Sequence, residues 1–353
     1  FGDKRRTEII QGTFDLEDED LIPEEDIIIS LTTNGYVKRM PVDTYKTQNR
    51  GGRGIKGMST NEDDIVDSMI NMSTHDDLLF FTNLCKVYRI KGYNVPEFGR
   101  TAKGLPVVNL LNMDKEETVK SMISIDKDKV DNDKQLYLFF VTLNGLVKKT
   151  PLEELVNIRQ TGKIAIGLRE NDELIAVQKT SGEDCILLGS SDGRMVKFNE
   201  NDVRVMGRTA SGVKGIELDD STCIGAEIAS EDDIVIIVTK KGYGKQTVVR
   251  DYRETKRGSK GVKALSITDK NGDIAAFKIA REDTDIVIIT DAGMVMRMPL
   301  DQISVLGRVT QGVRLINLKE EHTVATISLV DKEKEEEIVE NEENTENSVN
   351  YEE

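Results

Sequence analysis

Tryptophan is absent from this chain, aromatic residues make up 5% of it, and its 353 residues include only two histidines and three cysteines. Each scarcity removes a class of protein. So few aromatics disfavour WD40 and kelch propellers, whose repeats carry aromatic signatures. They also leave no recurrent platform on which single-stranded bases would stack. Cys85, Cys185 and Cys223 lie far apart with no CxxC spacing, which argues against a disulfide framework and a zinc site. Each is read as a buried free thiol, consistent with a reducing cytoplasm. His75 and His322 sit in polar stretches of different repeats and read as surface residues. No histidine-assisted nucleophile, phosphate-binding P-loop or carboxylate pair stands out, so no catalytic residue is expected. The run Asp269-Lys270-Asn271-Gly272-Asp273 opens like a calcium loop, but Ile274 and Ala280 stand at its glycine and glutamate positions. It reads as a polar turn; neither a metal nor a cofactor is expected. No apolar run approaches about eighteen residues, so a membrane-spanning helix is not expected. The start, Phe1-Gly2-Asp3, has neither an initiating Met nor a signal-peptide core and reads as the middle of a longer protein.

Positive charge is also in deficit, with a formal net charge of −16. Its location matters more than its size. Residues 331–353 carry eleven acids against Lys332 and Lys334, a local balance of −9 that leaves −7 for the other 330 residues. Few aromatics and this acidic excess read as a disordered tail. Two roles stay open for it: a solubilising extension, or a competitor that folds back on a basic surface. More acid sits in residues 15–20 and 24–26, while residues 240–263 hold nine basic residues against Asp251 and Glu254. Polyanion binding follows the local field within about 8 Å at physiological salt, so the total does not exclude it.

What the chain does have is a repeat. Short β-branched runs recur at 27–29, 78–81, 136–141, 186–188, 234–238 and 286–289, each of strand length. Five lead into hairpin turns at Asn34-Gly35, Asn144-Gly145, Asp192-Gly193, Lys241-Gly242 and Ala292-Gly293, where the glycine supplies a positive φ. The second copy has Leu84-Cys85 there instead. Successive turn anchors are 50, 60, 48, 49 and 51 residues apart. Six copies at a near-constant period imply an all-β radial array or solenoid of small sheets. Helical periodicity is poor apart from a short turn at 151–156. Residues 27–330 would form the array, 1–26 a segment joining it, and 331–353 the tail.

About fifteen residues after each turn a second signal recurs. Arg, mostly small residues, then Gly appear at 50–54, 100–104, 159–162, 208–212, 257–261 and 308–312. Cations accompany it: Arg53 and Lys56; Lys103; Lys163; Lys214; Lys260 and Lys263; Arg314. Radial repetition would set these loops around one rim, with Lys38, Arg39, Lys148, Lys149 and Lys245 of the neighbouring strands added to it. Arg100, Arg159, Arg208, Arg257 and Arg308 would each hold a phosphate, and the glycines would let backbone N–H groups approach it. With no recognition helix and no stacking platform, the expected ligand is duplex DNA, bent largely without regard to sequence.

At Gln48-Asn49-Arg50-Gly51-Gly52-Arg53-Gly54, followed by Lys56, the sequence resembles the GyrA box, Q-R-R-G-G-R/K-G, with Asn49 in place of the usual Arg. Supporting stretches run through residues 36–41, 100–104, 147–152, 206–210, 242–245 and 307–314. On these motifs the chain resembles the C-terminal domain family of bacterial DNA gyrase A. The resemblance implies a six-bladed β-pinwheel of four-stranded blades that exchange strands and wrap DNA in a positive sense. It implies a cytoplasmic, nucleoid-associated setting, a monomeric isolated domain and no membrane. The cleavage core of gyrase A and the gyrase B protein, in an A2B2 enzyme, would be partners. The box would be the element needed for wrapping, placed where the ring closes. Alternatives are the ParC C-terminal domain of topoisomerase IV, whose box is degenerate or missing, and a propeller-like protein-interaction module.

Overall fold

The computed structural model describes residues 21–32, 34–42, 55–56, 66–84, 86–99, 101–126, 135–155, 158–319 and 321–332. The expectations for residues 1–20, for box residues 48–54, for Cys85 and Arg100, and for the tail from residue 333 onward lie outside them. Each hydrophobic run forms the first strand of a hairpin. The hairpins are Asp26–Thr32 with Tyr36–Pro41, Asp77–Thr82 with Lys86–Lys91, Tyr137–Thr142 with Leu146–Pro151, Cys185–Ser190 with Arg194–Asn199, Ile234–Thr239 with Tyr243–Val248, and Thr284–Thr290 with Met294–Pro299. Gly35, Gly145, Gly193, Gly242 and Gly293 all adopt positive φ at the turns, as the hairpin signals require. Between strands the described residues hold only 3-10 turns of three or four residues, including Leu152–Leu155.

Six sheets of four strands result, numbered as blades in the order of their hairpins. A third strand from the same repeat pairs with the first strand of each hairpin, with a register shift near its start in every blade. The fourth strand is two residues long and comes from the next repeat. Leu105–Pro106 completes blade 1, Lys163–Ile164 blade 2, Val213–Lys214 blade 3, Val262–Lys263 blade 4 and Val313–Arg314 blade 5. Blade 6 has no following repeat. It is completed by Ile55–Lys56 of the first repeat, paired with Met294 and Val295. That pairing closes the ring.

The first strands read as continuous apolar runs because neighbouring blades cover both of their faces. Ile27, Ile29 and Leu31 pack towards Leu78 and Phe80 of blade 2, whereas Ile28 between them packs with Val287 and Ile289 of blade 6. The same division recurs around the ring, giving six clusters between neighbouring sheets rather than one central core. A blade alone would bury neither face.

Glycine before the donated strand is also explained by packing. Gly104, Gly212, Gly261 and Gly312 have φ between +70° and +90°, and a Cβ on them would stand within 2.7 Å of the carbonyl oxygens of Val37, Val147, Met195 and Gly244. A donated strand can lie against its host only if its first neighbour has no side chain. Each of these glycines sits against the preceding blade's backbone.

Candidate nucleic-acid interface

The recurrent loop precedes the donated strand, so each one crosses from its own repeat to the blade before it. Its arginine acts within that crossing. Arg208 Nη1 donates to the Ile164 carbonyl at 3.0 Å, Arg257 Nη1 to Lys214 at 3.1 Å and Arg308 Nη1 to Lys263 at 2.7 Å. In each case the acceptor is the last residue of the preceding donated strand. Three successive uses of one contact explain why Arg recurs at this place. The guanidiniums keep further N–H groups at a half-exposed surface, which leaves them able to meet an anion.

Four cations expected on the rim are not there. Lys38, Lys148 and Lys245 are 0% exposed and Lys149 is 3% exposed. Their stems lie inside the blades, and their ammonium groups are satisfied by backbone carbonyls. Lys38 Nζ donates to Gly99 and Ala102, Lys148 Nζ to Ala165 and Arg208, and Lys245 Nζ to Gly307 and Arg308. Lys149 Nζ donates to the Glu200 carbonyl at 3.2 Å and lies 3.8 Å from its carboxylate. A buried ammonium with carbonyl partners cannot reach a phosphate; these lysines instead hold the crossing loops. Sequence alone could not separate them from surface cations, because Lys-Lys-Thr-Pro in a strand looks the same buried or exposed.

The other expected cations reach the surface. Arg159, Lys214, Lys260, Lys263 and Arg314 are exposed, and Arg39, Lys103, Lys163, Arg208, Arg257 and Arg308 are half-exposed. Lys103 Nζ sits 3.8 Å above the Tyr36 ring, and Arg314 Nη2 donates to the Tyr243 hydroxyl at 2.9 Å. Lys214 pairs with Glu217 at 2.7 Å and Lys260 with Asp219 at 2.8 Å. The hydrogen bond from Lys260 holds the Asp219 carboxyl below its usual range. Exposed pairs of this kind contribute little and yield readily to a phosphate. Lys56 is described in its backbone only, at the ring closure.

The structure brings several of these groups into two clefts. One, of about 720 Å³, is lined by Arg89, Ile158, Arg159, Thr161, Gly162, Lys163 and Arg208. The other, of about 400 Å³, is lined by Asp251, Arg253, Gly261, Val262, Lys263 and Arg308. Arg89 and Arg253 were not among the expected rim residues. Arg89 had a legible signal: the fourth position of the second strand is basic in five of the six hairpins, as Arg39, Arg89, Lys149, Lys197 and Arg297.

Burial, reinforced by the Arg308 guanidinium, pushes the Lys245 ammonium down to about 8 from 10.5. Between those values the unfolded chain keeps a proton that the folded chain has released, so stability should rise with pH across that window. The neutral amine still donates, and both carbonyl bonds persist. In urea unfolding of the chain and its Lys245→Met variant, the chain should therefore gain on the variant above about pH 8. A gap that stays constant with pH would contradict the shift.

Among the described residues no group of His, Cys, Asp and Glu is placed to hold a metal ion. Among the described residues no helix is long and apolar enough to cross a membrane.

Known proteins share this arrangement. The family described as DNA gyrase C-terminal domain, beta-propeller, matches residues 26–71, 76–126, 136–181, 186–230, 233–281 and 284–331, one segment for each blade. The gyrase A protein of Staphylococcus aureus strain NCTC 8325 is 47% identical over 350 residues, covering 98% of this chain and 39% of the relative. That of strain MRSA252 is 47% identical over 342 residues, covering 96% and 38%. The chain thus spans about two-fifths of the length of the curated relatives it matches. A solved DNA gyrase A C-terminal domain aligns with a TM-score of 0.77 at 24% identity, covering 87% of this chain and 100% of that one, and supports the fold. The C-terminal domain of a DNA topoisomerase IV aligns with a TM-score of 0.66 at 25% identity, covering 88% and 94%.

Proposed function

The chain belongs to the DNA gyrase C-terminal domain, beta-propeller, family, and from that premise we propose that it binds duplex DNA and bends it around its basic rim in a positive wrap. The carrying observation is the arginine that each described crossing loop from residue 208 onward lays on the preceding donated strand, at Arg208, Arg257 and Arg308. Repetition of one cation at equivalent places gives a track for a regular array of phosphates, whose neutralisation releases counterions. The helices among the described residues are 3-10 turns of three or four residues, with none to enter a groove and read base edges, so binding is largely independent of sequence.

In the longer protein this segment, with residues 27–330 as the wrapping ring, holds DNA for the cleavage core of gyrase A. With gyrase B in an A2B2 enzyme, the wrap directs strand passage towards negative supercoiling. The segment itself contributes DNA shape and no reacting group. The GyrA-type box with Arg50 and Arg53, and the 47% identity to gyrase A over 98% of the chain, favour gyrase over topoisomerase IV. A protein-docking propeller draws little support from the described surface: the exposed large apolar residues are Leu21, Leu84, Val108, Ile164, Val205, Val305 and Val309, with no more than two in any one repeat, and scattered exposed apolar residues are ordinary.

Titration of a labelled mixed-sequence duplex across salt concentrations tests the reading. Log affinity should fall linearly with log salt, by about 0.9 for each phosphate neutralised, and two unrelated sequences should bind alike. Salt-independent binding, or preference for a single strand of equal length, would contradict it.

A further inference from the structure

The crossing loops are of two kinds, and they alternate. Blades 1, 3 and 5 carry Lys38, Lys148 and Lys245 at the third position of their second strands, where blades 2, 4 and 6 carry Tyr88, Val196 and Met296. On the odd blades the incoming loop is doubly fixed. The buried lysine binds its carbonyls, and isolated parallel bridges join Arg39 to Glu97, Lys149 to Val205 and Gln246 to Val305. The loop reaching blade 4 has backbone ties of its own, from Thr255 N to the Lys197 carbonyl and in the bridge of Ser259 to Ile216, but no lysine beneath it. The loops reaching blades 2 and 4 lack that lysine, and the two basic clefts described above lie there.

Each cleft has contributions from both kinds of loop. On blade 2, Arg159 and Lys163 come from the blade's own incoming loop, and Arg208 comes from the anchored loop of blade 3. On blade 4, Lys263 comes from the incoming loop and Arg308 from the anchored loop of blade 5. The buried lysines bear directly on those arginines. Lys148 Nζ donates to the carbonyl of Arg208, and Lys245 Nζ to that of Arg308. Backbone held from within, side chain delivered to the cleft: that is how both arginines are placed.

The charge in the clefts is incompletely neutralised. The blade 2 cleft has four cations and no carboxylate among its lining residues. Outside the lining, Asp77 lies 2.7 Å from Arg89, and Glu154 lies 3.9 Å from Arg208. The blade 4 cleft sets Arg253, Lys263 and Arg308 against Asp251 alone. Arg159, Arg253 and Lys263 make no side-chain hydrogen bond or ion pair with another described residue. Clustered like charges repel, and a polyanion relieves that repulsion.

We propose that the duplex is gripped at discrete clefts on blades 2 and 4, each built from an incoming loop that has no buried lysine beneath it and an arginine presented by the lysine-anchored loop of the next blade. Arg159, Arg208, Lys263 and Arg308 meet phosphate oxygens; Lys148 and Lys245 are positioning residues. This rests on the duplex-binding reading.

Two double variants of equal charge separate the possibilities. Arg159→Ala with Lys263→Ala removes one unpartnered cation from each cleft. Lys240→Ala with Lys270→Ala removes two exposed cations that line neither cleft. For duplex binding, the cleft pair should lower the salt slope by about 2 and the affinity severalfold, while the control changes both little. Equal losses, or no loss from the cleft pair, would overturn the clefts and leave the duplex reading standing. Failure of the unaltered chain to bind duplex would sink both.

Positioning is read from a double-mutant cycle on Lys148→Met and Arg208→Ala. The combined variant should lose no more duplex affinity than Arg208→Ala alone, while its melting temperature falls further. Additive affinity losses would make Lys148 a separate contributor and overturn its role through Arg208.

Discussion

Replacing Asp285 with alanine should lower the unfolding free energy by about 3–5 kcal/mol, the range for removing one partner of a buried ion pair. The Arg297 side chain is 0% exposed and Asp285 4%, with Nε donating to Oδ2 at 2.8 Å. Without the carboxylate, a guanidinium would remain inside blade 6 with its main charge partner gone. The same arginine donates from Nη1 to the Val42 carbonyl of the first repeat at 3.4 Å, so the loss falls at the ring closure. Ser328 Oγ, which donates to Met69 at 2.7 Å, spans the same junction with a neutral contact. Ser328→Ala should lose only about 1 kcal/mol. Joint replacement by Arg297→Met and Asp285→Leu should lose far less than Asp285→Ala, since apolar side chains of similar volume do not leave a charge unpaired. Urea midpoints of the variants measure these differences. A loss below about 1 kcal/mol for Asp285→Ala would show that the charge finds other partners.

The second large effect concerns the box. Arg50→Ala with Arg53→Ala should abolish the linking-number shift that the chain imposes on plasmid, while reducing duplex affinity only severalfold. The reason is where the box stands in the chain. Its last glycine is joined to Ile55, and Ile55–Lys56 is the strand that completes blade 6. On the proposed wrap, cations next to that strand in sequence would join the two ends of the DNA path, so their loss would leave the other blades' contacts in place and break the continuity that a wrap needs. If binding and shift declined in parallel, the box would be one more cationic loop among six.

Much of the architecture was legible because the repeat carries two independent marks. The apolar runs and the Asn-Gly and Asp-Gly turns fix the hairpins, and all five turn glycines have the expected positive φ. The donated strand was harder. Two residues such as Val213–Lys214 carry no strand pattern of their own, and only the preceding glycine, pressed against Val147 of another repeat, marks the place. The candidate site divided along a physical line. Arginines at the loops were found by recurrence, although each described one from residue 208 onward also has a structural contact that sequence could not reveal. Lys38, Lys148, Lys149 and Lys245 were misplaced because a strand residue's face depends on which blade covers it. Arg89 was missed because its neighbours in the cleft, Arg159 and Arg208, come from two other repeats.

Wrapping of duplex DNA by this ring, with a fixed hand, is tested most directly by a linking-number measurement. The chain is bound to nicked circular plasmid, the nick is sealed with ligase, and the linking number is read after deproteinisation. A positive shift that grows with the ratio of protein to DNA is the expected result. Tight binding with no shift, or with a negative one, would contradict it.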